Sequence, residues 1–584
     1  MAGVGVTGQG AEKAAALARP FALPRPSFRV VAGLLLLLGV AVLTLGPVLF
    51  VVFGSFDVSK PGELARLGLD AWQQALIESP RTRGAILTSF LLSLRAPLGA
   101  VIAFFLAWLI IRTRLPARGL IEFAFWVAFF MPALPVTLGW ILLLDPKYGL
   151  LNQLLQRLPG VSGPPFDVYS VWGILWIHMT AATVPVMVIL LGPAIRQLDA
   201  SLEESARVCG ASPLQLFRKI TLPILAPAIL VASLAGFIRG LEAFEVEQII
   251  GRPAGIYVYS TRIYDLITWE PPLFPEAMAL STFVLTILVG IAVVYQRTAA
   301  GRHYATITGR GMTFRRLTTG PWRYAVAALL LAFLAFTVLL PTAMLVTGSF
   351  MKLFGFFTIA DPFTPRHWQT VLRDPVFLIA VRNSLVIALG TATAGTLLYA
   401  GLAYVLMRSR LAARGITDLL AWLPWTVPGI LLGIGLLFVL LSVPALALLY
   451  GTVLVMILVL VVKDMPIGTH MMKTSIGQIA PELEHSSQVC GAGGLTTFRR
   501  IVLPLMRPML VSIFVLVFIA ALRDISTTIL VVTPGTRPLS ILMLEYSQSS
   551  ALESAAVIGV ILMALMVVVA LLARHFGLRV AAEG

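Results

Sequence analysis

The stretch LEESARVCGASPLQLFRKITLP, residues 202–223, returns as LEHSSQVCGAGGLTTFRRIVLP at residues 483–504, every position shifted by 281. Both copies carry Val-Cys-Gly-Ala, then Phe with two basic residues, then Ile-x-Leu-Pro at the edge of a long apolar run. The pattern predicts two short polar helices joined at a glycine. Glu203 and Glu204 stand near the start of the first helix, where a carboxylate suits the positive end of the helix dipole. Gly210 and Gly491 supply the turn, since glycine alone takes positive φ without steric cost. Leu222-Pro223 and Leu503-Pro504 close each segment, with proline tolerated in the first turn of the helix that follows. Such a segment is too polar for lipid and too amphipathic for a plain connector. It reads as a surface that a partner recognises.

Composition sets the class independently. A chain of 584 residues with 58% hydrophobic and 12% charged residues, and a mean hydropathy of +0.93, is an integral membrane protein. The net charge of +16 does not indicate nucleic acid, because the basic residues cluster in short loops between apolar spans, as the positive-inside rule requires. The two cysteines, Cys209 and Cys490, occupy equivalent sites in the two copies; on the cytosolic side they form no structural disulfide and are expected to pack as small residues beside the glycine.

Twelve spans are expected, near 30–53, 86–111, 119–144, 171–193, 224–246 and 275–296, then 322–348, 379–407, 416–442, 448–470, 505–523 and 551–574. Arg112, Arg114 and Arg118, their counterparts Arg408, Arg410 and Arg414, and a basic linker with Arg297, Arg302, Arg310, Arg315 and Arg316 share one side with both repeated segments. That places both termini in the cytosol. The first apolar segment is long enough to span, so the Ala- and Pro-rich residues 1–28 read as a cytosolic tail rather than a cleavable signal. The repeat reaches beyond the loop: RTRLPARG at 112–119 matches RSRLAARG at 408–415, and Pro185 matches Pro466. The domain plan is therefore a tail (1–28), a first transmembrane domain (29–296) with its loop at 196–223, and a basic linker (297–321). A second domain (322–576) with its loop at 477–504 and a short tail (577–584) complete it. The fold class is all-α: two six-helix halves in parallel orientation, a duplication common where a path runs between halves.

Charges inside spans cost about 2.5–3.5 kcal/mol each at mid-helix and point to function by default. Lys463-Asp464 lies well inside the tenth span. Neighbours project about 100° apart, so at least one must face a partner or a wet cavity; a path role and a structural pair both remain open. Arg239, Glu242, Glu245 and Glu247 end the fifth span, and Arg523-Asp524 ends the eleventh. Glu242 and Glu245 share a helical face and could gate a cation that prefers hard oxygen ligands, or could be a solvated helix end. His178 reads as a core histidine rather than a metal ligand, and Arg95 either pairs with a carboxylate or lines the path. Pro132/Pro135 and Pro424/Pro428 predict broken helices, which line cavities more often than they face lipid. No Gly-x4-Gly-Lys-Ser/Thr phosphate loop and no catalytic constellation occurs, so the chain is expected to be non-catalytic and to hold no cofactor or metal of its own.

The repeated segment resembles the EAA loop of binding-protein-dependent ABC importer permeases, Glu-Ala-Ala-x3-Gly-x9-Ile-x-Leu-Pro. Copy one supplies Glu204-Ser205-Ala206, Gly210, Ile220, Leu222 and Pro223; copy two supplies Gly491, Ile501, Leu503 and Pro504, with His485-Ser486-Ser487 in place of the opening triplet. The fused layout, and EAFEVEQIIGRPAGIYVYSTRIYDLI at 242–267, look most like permeases of the ferric-iron type. The resemblance implies a bacterial inner-membrane subunit working by alternating access. A periplasmic binding protein would deliver solute, and two ATPase subunits, holding ATP and Mg, would grip the loops through these residues together with Glu203 and Glu484. Lys463, Asp464, Glu242, Glu245, Arg523 and Asp524 are the candidates for the path. Thiamine, aminoethylphosphonate and polyamine permeases share this architecture, so the solute stays open. The rival from another class is a secondary transporter or channel with parallel repeats, in which the charged residues would couple an ion.

Overall fold

The computed structural model describes residues 28–59, 66–196, 198, 200–300, 320–408 and 414–575. Both expected tails, but for Phe28, and the linker residues 301–319 lie outside the described residues. Among the described residues there is no β-strand, only two isolated bridges. Nine helices among the described residues are long and apolar enough to cross a membrane, or up to twelve if each of three bent pairs is one span. The protein is thus an all-α membrane protein of two six-helix halves. Helices suit this solvent because every backbone polar group inside lipid must be satisfied within its own segment.

Most expected boundaries lie within a few residues of the observed ones, and the exceptions have local causes. The fifth span ends at Leu241 rather than 246, because the chain turns where Glu242 to Glu245 interrupt the apolar run. The tenth begins at Val453 rather than 448, after Gly451 takes a φ of +79°, and runs on to Gly477 rather than 470; the second begins at Pro80 rather than 86. The two proline pairs do break their helices. Arg118–Phe130 meets Ala133–Leu144 at 102°, and Arg414–Thr426 meets Gly429–Ser442 at 112°. A third bend of 74° separates Gly494–Leu505 from Arg507–Arg523, where Pro504 and Pro508 remove backbone donors.

Each half sends its first helix across to the other. Phe28–Gly54 packs on Gly429–Ser442, and Leu340–Ser349 packs on Ala133–Leu144. Glycine makes the approach possible. A Cβ on Gly435 would lie 2.4 Å from the Pro47 carbonyl oxygen, and one on Gly139 would lie 2.1 Å from that of Pro341. Gly139 and Gly435 are equivalent in the repeat, shifted by 296 like the arginine-rich loops. Small residues let backbones meet where lipid offers no hydrophobic drive for helix association.

Candidate functional site

Two regions carry the candidate residues: the repeated segments at one end of the bundle, and a charged cluster where the halves meet.

Each repeated segment begins with a nine-residue helix, Ala200–Val208 or Pro481–Val489. Each closes at a glycine with positive φ, +82° at Gly210 and +87° at Gly491. The closure is the same in both: Ala211 N–H donates to the Ala206 carbonyl and Ala492 N–H to the Ser487 carbonyl, a bond that satisfies the last carbonyls of a helix. Past the glycine, Phe217–Thr221 and Phe498–Val502 form one wide π-helical turn each. Pro223 and Pro504 follow, and a wider turn relieves the clash between a proline ring and the carbonyl four residues back. Ile220, Ile501 and Leu503 are half-buried at this junction, while Leu222, Pro223 and Pro504 are exposed.

The two leading glutamates depart from expectation. Glu203 and Glu484, expected on the partner-facing surface, are buried and point into the bundle. Arg112 Nη2 lies 2.6 Å from Glu203 Oε2, and Thr221 Oγ1 donates to Glu203 Oε1 at 3.2 Å. In the second half Arg408 Nε lies 2.6 Å from Glu484 Oε1, and the Tyr404 hydroxyl donates to Glu484 Oε2 at 2.9 Å. Arg408 also reaches the Ile476 and Ile479 carbonyls. The physical reason is helix phase: neighbouring residues project about 100° apart, so when Glu203 faces inward Glu204 faces outward, and likewise His485 beside Glu484. Arg112 and Arg408 end the second span of each half, and their place in RTRLPARG and RSRLAARG was the available signal. Aromatic contact repeats the anchor. Phe217 packs edge-on against Trp108 at 6.2 Å, and Phe498 lies 4.7 Å from Tyr404. What remains outward is Glu204, His485, Gly210, Gly491 and both cysteines, with Ala206 half-buried. Cys209 and Cys490 are thus exposed rather than packed. Val208 and Val489 are each 88% exposed, an apolar pair that suits a partner's groove.

The second region gathers all six path candidates. Lys463 ion-pairs with Asp524 and donates to Thr527 Oγ1 at 2.8 Å; Thr527 N–H in turn donates to Asp524 Oδ1. So Lys463 answers to Asp524, while its neighbour Asp464 is buried on another face. Arg523 Nη1 donates to the Phe129 carbonyl at 3.0 Å, and the Arg239 guanidinium lies over the Trp425 ring at 4.9 Å while bonding Glu242 at 2.9 Å. Both contacts cross between the halves. Phe129 and Trp425 are equivalent, each just ahead of a broken helix. A break leaves carbonyls without their i+4 donor, and an arginine supplies one. Glu245 is within electrostatic reach of Asp524 and Lys463, and Asp464 of Lys463 and Arg523. Among the described residues no three His, Cys, Asp or Glu side chains converge as a metal site; Asp524 and Glu242 are engaged by Lys463 and Arg239 instead. Arg239, Phe129 and Trp425 were not among the sequence candidates for the path, though the prolines marked the breaks. His178 lies apart, bonded through Nε2 to Glu247 at 2.8 Å in the first half's core. Arg95 bonds the Leu92 and Gly240 carbonyls and feels the Glu247 charge.

Residues 99–303 and 393–582 each match the family described as binding-protein-dependent transport system inner membrane component. The chain is 25% identical to the probable ABC transporter permease protein y4fN of Sinorhizobium fredii, over 88% of this chain and 92% of that one. It is 26% identical to the ferric transport system permease protein FbpB of Actinobacillus pleuropneumoniae, over 75% of this chain but 63% of that protein. Among solved structures, a chain of a bacterial ABC transporter that imports the acidic polysaccharide alginate aligns at 20% identity and a TM-score of 0.39. That alignment covers 47% of this chain and 95% of that one.

Proposed function

The chain belongs to the binding-protein-dependent inner membrane components, the permeases of ABC importers, and from that premise we propose that it passes ferric iron, received from a periplasmic binding protein, into the cytosol. The iron reading rests on the likeness to ferric permeases. ATP hydrolysis is assigned to two separate ATPase subunits that bind Glu204, His485, Val208, Val489 and the glycine turns. The observation that carries the mechanism is the paired anchoring of the coupling helices. A push on either is passed through Arg112–Glu203 or Arg408–Glu484 to the second span, and through the π-helical turn to the fifth or eleventh. Those spans end at Arg239 and Arg523, which hold the halves together at Trp425 and Phe129. Release and re-formation of these contacts is the proposed gate. Copurification of an ATPase dimer, and labelled ferric-iron uptake that depends on this chain, test the reading. A chain that transports without an ATPase ends it, whereas uptake of thiamine or a phosphonate but no iron replaces only the solute.

Two expected outcomes follow from this geometry. Glu204→Ala should weaken retention of the ATPase more than His485→Ala. A charge-assisted hydrogen bond contributes about 1.5–3 kcal/mol, against about 0.5–1.5 for a neutral one, and Glu204 presents a carboxylate where the second copy has a histidine ring. Equal losses in pull-down from membranes of matched expression would put packing shape, and not charge, in control of the joint.

Lys463→Met should lower the stability of the purified protein by about 1.5–3 kcal/mol, because Asp524 loses its counter-charge. Asp524→Asn should cost less, since a neutral amide still meets Thr527. Thermal unfolding of both variants checks the order. Equal midpoints would mean that water already screens this pair.

A further inference from the structure

On the face opposite the coupling segments the first half holds a basic pocket that the transport reading does not use. The helix Pro80–Arg112 has 33 residues, about 50 Å at 1.5 Å per residue. Arg112 stands at its coupling end and Arg81 at its other. There Arg81 meets Arg252, from the short turn Arg252–Ala254, and Arg262, from the helix Tyr259–Thr268. With Tyr257, Asp265 and Trp269 they line an open cavity of about 140 Å³.

The charges do not cancel. Arg252 Nη2 lies 3.4 Å from Asp265 Oδ1, which accounts for one guanidinium and leaves two. Arg262 is oriented through Nε, which donates to Thr82 Oγ1 at 3.2 Å. Among the described residues the Arg81 side chain makes no hydrogen bond or ion pair. Burial, and then the Arg81 charge, lowers the pKa of Arg262 from its ordinary value, against the pull of Asp265. The walls are fixed in place, because Tyr259 N–H donates to Ser89 Oγ at 2.8 Å and ties the helix of Arg262 to that of Arg81. The repeat shows that the fold does not require this charge: the corresponding helix of the second half, Leu539–Gln548, contains no arginine. Guanidinium forks held in a rigid concavity match planar or tetrahedral oxygen anions, which they bind through paired charge-assisted hydrogen bonds.

We propose that this pocket, built by Arg81, Arg252 and Arg262, is a binding site for an oxyanion, either a free inorganic one or a carboxylate presented by a protein docked on this face. Inorganic phosphate and N-acetylglutamate amide are the two probes, titrated calorimetrically into the full chain in lipid nanodiscs at low ionic strength. Saturable one-to-one phosphate binding is expected, weakened at least tenfold by Arg81→Gln and by Arg262→Gln. Arg83→Gln, two residues along the same helix, exposed and outside the cavity, should leave it unchanged. If only the carboxylate probe binds with that dependence, the anion's source is an acidic side chain. If neither probe binds, or if Arg83→Gln weakens binding as much as the pocket variants do, the pocket is not an oxyanion site. Unfolding midpoints within the wild-type range certify that the glutamine variants are folded. Binding is read without solute or ATPase, so this result stands or falls apart from the transport assignment.

Discussion

Arg112→Ala is expected to destabilise the protein by about 3–5 kcal/mol, the range for removing one partner of a buried ion pair, and to free the first coupling helix from the bundle. The Arg112 side chain is fully buried and that of Glu203 is 8% exposed, so the stranded carboxylate has little water to turn to. The second half should suffer less from Arg408→Ala. Each stranded carboxylate keeps a hydroxyl, Thr221 for Glu203 at 3.2 Å and Tyr404 for Glu484 at 2.9 Å. But Arg408 is 19% exposed where Arg112 is fully buried, so water already reaches the second pair; about 1.5–3 kcal/mol is the expectation there. Thermal unfolding of the purified variants gives the order, and retention of the ATPase subunits gives the functional consequence. The double variant Arg112→Met/Glu203→Leu separates the two, because apolar replacement of a buried pair is often neutral for stability. If it folds normally yet loses coupling, the ion pair transmits motion. If Arg112→Ala melts like the parent and retains its partners, the anchor is aromatic packing around Phe217 and the ion pair is incidental.

Gly139→Ala and Gly435→Ala should each prevent the halves from closing on one another. The added carbon would meet a backbone carbonyl at 2.1 Å and 2.4 Å, and no rotamer change moves a backbone oxygen. Overpacking of a tight contact costs about 1–3 kcal/mol when side chains can yield; here the upper end is the minimum. The sites lie on different interfaces, so their effects should add to about 6 kcal/mol or more. That is comparable with the whole stability of many proteins, roughly 5–15 kcal/mol, and the double variant should give no folded product. Gly401→Ala is the control. It lies inside the helix Pro375–Arg408 with open space around its would-be Cβ, where alanine should stabilise by up to about 1 kcal/mol. Folded yield and unfolding midpoint of the four proteins decide the matter. A stable double variant would mean that the first helices are not held by these contacts.

Local chemistry made much of this protein legible in sequence. A run of apolar residues reports a span because desolvating the backbone demands a helix whatever its neighbours are. Gly210 and Gly491 announced turns, and Pro132 and Pro428 announced breaks, because φ preference and a missing donor are properties of single residues. The duplication, the family and the two repeated helix–glycine–helix segments follow from such contiguous signals.

Packing decided the rest. Glu203 and Glu204 are chemically alike, and only the phase of a nine-residue helix against Arg112 sends one inward and the other out. Lys463 finds its partner 61 residues away, and Arg523 reaches a carbonyl 394 residues away in the other half. The halves even differ in how they join the fourth span of each to the segment after the fifth: His178–Glu247 in one, Lys463–Asp524 in the other. The linear pattern holds the charges but not their pairing. A pair forms only where two separately folded helices bring opposite charges to the same depth, and that depth is set by the glycine contacts and proline bends that stack the spans.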